Sequence, residues 1–269
     1  MSAPRTTHRA AQLLPWLAIA VAFSPTAFEL ASHLASERYD LYVLLAPLLL
    51  ASLVARGAAG PVAPRRGAGG AVLALALLLE LLGLATWSLT LARLGLALAV
   101  LGGALWTGLL RPSAAALSLG MVPLPTFLVT AGTPGLESAF GALAATLTGA
   151  VGVEVEAVGP LLFVAGDRLE IQPHETGARL ALVLAELAWY AAHLEDRVSR
   201  ARLARVPLWA LLALPLQALG VVVGVLLLAT LGGGVGAVWL NAGIWVTAAA
   251  LGLGLVERRR GAAKPAELC

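Results

Sequence analysis

Hydrophobic residues occur along this chain in long runs that short polar segments interrupt. Eight such runs can be drawn, at residues 12–34, 40–55, 70–91, 93–110, 113–131, 177–194, 207–231 and 236–255. A helix needs roughly 20 apolar residues to cross the hydrocarbon of a bilayer, and most of the runs approach this length. The pattern therefore predicts an all-α integral membrane protein with about eight transmembrane helices.

The composition supports a lipid environment. The 269 residues are 59% hydrophobic and only 12% charged, with a mean hydropathy of +0.89. A soluble domain cannot bury so much apolar surface in one core. The net charge of +3 does not point to nucleic acid as a partner, because the basic residues lie in short connections and form no basic face. The expected partner is the lipid bilayer.

The only cysteine is the last residue, Cys269. This excludes an intramolecular disulfide and a cysteine metal cluster. A zinc site of the His-Glu-x-x-His type at His174 would need a second histidine four residues later, where Ala178 stands. We expect neither a cofactor nor a metal.

The basic residues are distributed unevenly between alternate connections. If the N-terminus is cytoplasmic, all but four of the 18 lysines and arginines fall in cytoplasmic segments, the exceptions being Arg38, Arg93, Arg168 and Arg179. Such residues are retained on the cytoplasmic side. We expect a protein of the bacterial cytoplasmic (inner) membrane with both termini in the cytoplasm and a cytoplasmic tail at 256–269. Residues 1–9 lead into a run without a clear cleavage site, which favours a retained first span over a signal peptide.

One long connection, residues 132–176, falls on the outer side of this topology. Residues 135–150 carry apolar side chains on one helical face, and residues 152–158 alternate apolar and acidic side chains as a strand does. Short strand-like stretches also flank Gly166 and Asp167. We expect an extracytoplasmic insert with a small helix and a two- or three-stranded β-ribbon, outside the hydrocarbon because open strand edges cannot face lipid. The whole chain, 1–269, is expected to form a single polytopic membrane domain.

Several of these features occur together in a known family. A proline-leucine-proline stretch at 122–125 near a membrane exit leads into the outer helix, and a glycine-valine strand pair follows. A polar strand then runs into a motif that ends Gly177-x-Arg179 at the start of a span. From about residue 111 to residue 255 the chain resembles the exosortase/archaeosortase family. The resemblance implies a multi-span thiol transpeptidase or protease that processes the C-terminal sorting tails of exported proteins.

The family's nucleophile is missing from this chain. Its cysteine lies in an Ala-Cys-Ser-Gly-x-Arg type of motif, in which Gly177 and Arg179 agree here but Glu175 stands at the position of the cysteine. Thiol chemistry needs a thiolate beside a base. The topology predicted above leaves Cys269 on the cytoplasmic side, a membrane thickness away from this motif.

The other two residues of the family's chemistry are also absent. The family's arginine follows an asparagine in the next span, and those positions read Gly220 and Gly224 here. The position of its histidine, in the last span, corresponds to Trp239 or a neighbour. The resemblance therefore implies the family's scaffold without its cysteine, arginine and histidine.

Two interpretations of residues 174–179 remain open. In the first, Pro173 and Glu175 begin a helix, and Glu175 pairs with Arg179 one turn later. In the second, Glu175 is a general base or a carboxylate nucleophile, and Arg179 stabilises an anion. Glu175 and Arg179 are the candidate catalytic residues.

Ionisable residues within the apolar runs are further candidates, because they are costly inside a membrane. Glu29 and His33 lie one turn apart near the outer end of the first span, where they can reach the interface or bind a ligand or proton. Glu80 and Glu186 lie near mid-span and are expected to form hydrogen bonds between helices, or to belong to a proton path. His193 is expected to begin a solvated cytoplasmic loop.

We therefore expect an exosortase/archaeosortase-like membrane protein that is catalytically degenerate. Its expected partners are hydrophobic C-terminal sorting helices or a homologous membrane protein. One alternative is an active peptidase or transpeptidase in which Glu175 and Arg179 take new roles. Another is a small-solute transporter or membrane assembly subunit that uses Glu80 and Glu186.

Overall fold

The structure is a computed structural model of the chain that describes residues 5–36, 42–55, 62–122, 134–164, 166–171, 177–194 and 203–231. It divides into two compact units. The first is made of Met1–Pro123 with Trp189–Ser199, and the second of Leu124–Ala188 with Arg200–Cys269. The described part is mostly helical.

The described elements follow the apolar runs of the sequence. In chain order they are α1 (Arg5–Ala22), α2 (Ser24–Ser36), α3 (Leu45–Ala55), α4 (Arg66–Thr86), α5 (Leu89–Thr107), α6 (Pro112–Ala115), a 3₁₀ helix η1 (Ala116–Met121), α7 (Pro134–Ala150), β1 (Val155–Val158), β2 (Leu161–Val164), β3 (Asp167–Glu170), α8 (Ala178–His193), α9 (Val206–Leu211) and α10 (Ala213–Leu231).

Within the described ranges, three helical segments are long and apolar enough to cross a membrane: α4, α5, and the stretch Val206–Thr230 that α9 and most of α10 form together. The bent pair α1–α2 makes a fourth if it counts as one span. The helix over Tyr42–Ala55 is shorter, and α8 has 16 residues. Residues 123–133 and 232–269 lie outside the described ranges, so the expected last span and the expected cytoplasmic tail at 256–269 do too. The total of about eight spans stays a prediction.

Proline causes the bend between α1 and α2. The two axes, measured over Leu14–Ala22 and Ser24–Leu34, differ by 61°. Pro25 has no N–H, so the carbonyl of Val21 loses its donor four residues later. The Ser24 hydroxyl replaces that donor, since its Oγ lies 2.9 Å from the Val21 oxygen.

Small residues bring α4 and α5 of the first unit together. Gly69, Ala76 and Gly83 recur every seven residues on α4 and are buried. A Cβ at Gly83 would lie 2.5 Å from the Ala92 nitrogen, and one at Gly95 would lie 2.8 Å from the Ala76 oxygen. Backbones this close need small side chains at the contact, which is a common arrangement between membrane helices.

The two ends of the α4–α5 hairpin are fixed by backbone hydrogen bonds. At one end Trp87 adopts a left-handed conformation, with φ of 57°, and Trp87 and Ser88 both donate to the Gly83 carbonyl. At the other end the Val62 N–H donates to the Gly108 carbonyl over 3.0 Å. Trp87 is 89% exposed, which suits a tryptophan at a membrane–water interface.

The second unit contains a three-stranded antiparallel sheet in the order β1-β2-β3, where the sequence predicts a two- or three-stranded ribbon. Val158 pairs with Leu161 around a turn at residues 159–160. Val164 pairs with Asp167, so Asp167 belongs to the strand and Gly166 to the turn before it. Gly166 has φ of +88°, which favours glycine at this turn.

The core of the second unit lies between the sheet, α7 and α10. Leu162 and Val164 point from β2 into this core and are fully buried. They pack with Phe140 and Ala144 of α7 and with one face of α10; the buried residues of that face are Ala218, Val221, Val222, Val225 and Leu228. The alternate side chain of β2, Phe163, is 40% exposed.

The start of α8 packs on the first turns of α10. A Cβ at Gly177 would lie 3.4 Å from both the Ala213 oxygen and the Gln217 Cβ. Leu180 and Leu184 of α8 form a small apolar cluster with Ala213. Residues 218–231 of α10 continue past this contact for about 21 Å, at 1.5 Å per residue.

The close contact at Gly95 leads to a test of the packing. Alanine is a better helix former than glycine by about 1 kcal/mol, but at Gly95 its methyl group would meet backbone atoms of α4 that cannot move aside. Overpacking of this kind costs about 1–3 kcal/mol. We expect Gly95→Ala to lower the free energy of unfolding, measured by denaturing-detergent titration of the purified protein.

The matched control is Gly67→Ala. Gly67 lies in the first turn of α4, and nothing lies within 4 Å of the place where its Cβ would stand. This variant should be neutral or stabilising. A Gly95→Ala protein as stable as Gly67→Ala would contradict the packing described here.

Candidate functional site

The structure describes only part of the predicted catalytic motif. Glu175 lies outside the described residues, together with His174 and Thr176. The expected pair between Glu175 and Arg179 therefore remains a prediction, as does a catalytic role for either residue. Gly177 and Arg179 are described.

Gly177 has a structural reason to be glycine. Its φ of +96° is strained for any side chain, and its carbonyl accepts the first hydrogen bond of α8, from the Ala181 N–H at 2.8 Å. It also lies against the backbone of Ala213. The glycine of the motif therefore forms the start of the helix and its contact with α10.

Arg179 is half-buried in the first turn of α8. On α10, Gln217 is 5% exposed. Its Cβ lies 3.4 Å from the place where a Cβ at Gly177 would stand. The guanidinium and the carboxamide are both hydrogen-bond donors suited to carbonyl or carboxylate groups. Our sequence analysis did not single out Gln217, although one amide in the strongly apolar run 207–231 is a usable signal.

The positions that correspond to the family's other catalytic residues are only partly described. Gly220 and Gly224 lie on α10, one and two turns beyond Gln217, whereas Trp239 lies outside the described residues. The residues of α10 that pack beside Gly177 are thus Ala213 and Gln217, and neither of these glycines is among them.

Further along α8, Glu186 is 6% exposed. Within the described ranges neither of its carboxylate oxygens has a hydrogen-bond partner. The expected hydrogen bond between helices is therefore not found for Glu186 among these residues.

A second group of polar residues lies in the first unit, where α2 meets α4 and α5. The hydroxyl of Thr26 donates to Oε1 of Glu80 at 2.5 Å, so Glu80 does form the expected hydrogen bond between helices. Glu29 accepts from Arg93, with Nη2 to Oε1 at 2.8 Å and Nε to Oε2 at 3.2 Å. His33 lies one turn beyond Glu29 and is half-buried.

The role of Arg93 differs from the sequence interpretation. Its place at the start of the apolar run 93–110 indicates a connection between two spans, but Arg93 lies inside α5 and is 7% exposed. The pairing with Glu29 explains how both charges are accommodated, because a buried charge requires a partner of opposite sign.

The prediction for His193 is wrong. It is the last residue of α8, and it is 1% exposed rather than solvated. Its Nδ1 lies 2.7 Å from the Trp189 carbonyl, and its Nε2 lies 2.9 Å from Oγ of Ser113. The Trp189 indole N–H also donates to the Ser113 carbonyl, so these contacts attach α6 to the end of α8.

The donor set does not indicate a metal centre. Across the described ranges, no three histidine, cysteine, aspartate or glutamate side chains come together in a way that could bind a metal ion.

Comparison of the chain with protein-family models, with curated proteins and with solved structures finds no match. The functional argument therefore depends on the residues themselves.

The ion pair between Glu29 and Arg93 can be tested by a double-mutant cycle. The Arg93 side chain is 8% exposed and the Glu29 side chain 30% exposed, so removing one partner should cost less than the roughly 3 kcal/mol of a fully buried pair but more than loss of an exposed pair does. We expect Glu29→Gln and Arg93→Met each to lower the free energy of unfolding, and the double variant to lose much less than the sum of the two.

The exposed pair of Arg168 with Glu170 is the matched control. Its atoms are 3.7 Å apart, and the two side chains are 61% and 50% exposed. A solvent-exposed pair contributes less than about 1 kcal/mol. Equal coupling energies in the two cycles would show that the pair of Glu29 with Arg93 is not buried as described.

Proposed function

We propose that this chain is a multi-span membrane protein on a scaffold like that of the exosortase/archaeosortase family, without the family's thiol chemistry. In this proposal it binds the hydrophobic C-terminal sorting tails of exported proteins, or an active homologue, in the plane of the membrane. The observation that carries the proposal is the start of α8. Gly177 lies beside Gln217, and Arg179 follows two residues later, in a chain whose only cysteine is Cys269.

The described elements are consistent with such a scaffold. Apolar helices of spanning length accompany a small unit in which α7 and a three-stranded sheet pack on α10. The last strand, β3, precedes α8 by a few residues, as the resemblance implies. The family itself remains part of the proposal.

Contacts inside the first unit support the proposed alternation of spans. Glu29 and Arg93, both expected near the outer surface, form an ion pair. Val62 and Gly108, both expected near the inner surface, share a backbone hydrogen bond. Antiparallel neighbours that cross the same bilayer must bring matching ends together, and these pairs do so.

The chemistry of the motif favours binding over cleavage. Acyl transfer through a thiol needs a thiolate, a base and an oxyanion partner at one place. Arg179 and Gln217 supply donors that suit a peptide carbonyl or a carboxylate, but Glu175 replaces the nucleophile of the family. A site of this kind can orient a peptide next to the start of α8 without cutting it.

Cysteine accessibility tests the proposed topology. In intact cells, Cys269 should not react with a membrane-impermeant thiol reagent. In a Cys269→Ser background, Asp167→Cys should react, because Asp167 is exposed on the sheet and the sheet is proposed to face outward. Labelling of Cys269 from outside would contradict the orientation.

Photo-crosslinking tests the proposed function. The protein would carry a benzophenone amino acid at position 217 and be expressed with an exported reporter that ends in a sorting tail, in a host without tail-processing activity. We expect an uncleaved reporter crosslinked at 217. Arg179→Ala should weaken the crosslink, whereas Arg168→Ala, which changes an exposed arginine of β3, should leave it unchanged.

The other outcomes separate the alternatives. An absence of crosslinks in the folded protein would contradict tail binding at this site. Cleavage of the reporter that Glu175→Ala abolishes would replace binding by the active peptidase or transpeptidase, with Glu175 in the role of the cysteine.

A further inference from the structure

The bend between α1 and α2 brings polar groups into an apolar part of the first unit. Thr26, in the first turn of α2, is 2% exposed, and Glu80 on α4 is 1% exposed. Transporters use discontinuous helices of this kind to place binding groups between apolar segments. The bend therefore places a buried carboxyl group, that of Glu80, next to a break between two helices.

Glu80 has fewer partners than a buried carboxylate needs. Its Oε1 accepts from the Thr26 hydroxyl, but among the described residues its Oε2 has no hydrogen-bond partner. A buried carboxylate is stabilised by several donors or by a cation of its own. One hydroxyl donor falls short of this requirement.

The charges around Glu80 balance without it. Near this point the charged and titratable groups are Glu29 and His33 of α2 and Arg93 of α5. Arg66 of α4 and Arg5, His8 and Arg9 of α1 stand at the far ends of their helices. Glu29 and Arg93 neutralise each other. An ionised Glu80 would add a net negative charge to this group of helices, and a proton on its carboxyl would remove it.

The position of Arg93 makes loss of that proton feasible. Thr26 and Glu29 lie three residues apart on α2, a spacing at which side chains are neighbours. Their partners, Glu80 and Arg93, therefore contact α2 at neighbouring positions. When Glu80 releases its proton, the negative charge arises one turn of α2 away from the residue that holds the Arg93 guanidinium.

We propose that Glu80, with Thr26, is an exchangeable proton-binding site at the break between α1 and α2. In the protonated state, Oε2 carries the proton and Oε1 accepts from Thr26. In the released state, the carboxylate keeps the Thr26 hydrogen bond, and Arg93 stays paired with Glu29. Uptake and release of one proton thus change the net charge of this group of helices at the break between α1 and α2. This site is independent of the tail-binding site proposed above.

Infrared difference spectroscopy of the purified protein in lipid tests the proposal. The wild-type protein should show the carbonyl band of a protonated carboxyl group that shifts in D₂O and disappears reversibly as the pH is raised. Glu80→Gln should lose this band, because the amide retains the hydrogen-bond acceptor for Thr26 but cannot exchange a proton. The comparison is made in a Glu186→Gln background, because the buried carboxyl of Glu186 on α8 would contribute a band of its own.

Variants at Thr26 separate this site from a merely buried carboxyl. Thr26→Val removes the hydroxyl and should move the band to higher frequency, whereas Thr26→Ser retains the hydroxyl and should leave it in place. Arg93→Met should move the disappearance of the band to higher pH. In the Glu186→Gln background, a pH-dependent carboxyl band that persists in Glu80→Gln, or the absence of any such band while Glu80 is present, would overturn the proposal.

Discussion

A charged or hydrogen-bonding group among apolar helices has to find its partner within the protein, because lipid offers none. This constraint accounts for the polar contacts of the first unit. The Val21 carbonyl, freed by Pro25, takes the Ser24 hydroxyl. Arg93 takes Glu29. Each of these contacts also fixes the geometry of a helix, so the bend of α2 and its position against α5 follow from satisfying a few polar groups.

Sequence alone was sufficient for the elements whose signal is local. Runs of apolar residues predict α4, α5 and α9–α10, and the alternation of acidic and apolar residues around Glu154 and Glu156 predicts β1. Turn chemistry was only partly readable. Gly166 lies in the turn as its φ of +88° requires, but the strand pairing starts at Asp167 rather than after it. Asp167 belongs to the strand because it pairs with Val164. The identity of the turn residues alone does not reveal this pairing.

The partners of polar residues could not be predicted, because they depend on how distant helices are rotated against each other. Arg93 resembles a loop arginine in the sequence, since it stands near the boundary of two apolar runs, yet α5 begins at Leu89 and carries it into the packed region. His193 precedes a charged segment, yet Ser113, 80 residues earlier, is its partner. Gln217 gains its importance only from the contact with Gly177.

A run of apolar residues indicates that its side chains are shielded from water, but not whether lipid or other parts of the protein cover them. In α4, 22% of the most apolar 18-residue window is buried by protein, whereas the corresponding share is 50% in α5. On α10, Val221 and Val225 are covered by α7 and the sheet, so part of that helix is the core of a folded unit. Hydropathy is the same whether a leucine faces lipid or a strand. The number of apolar runs is therefore an upper limit on the number of spans. The shorter helices α3 and α8 belong to apolar runs but fall short of the length of a span.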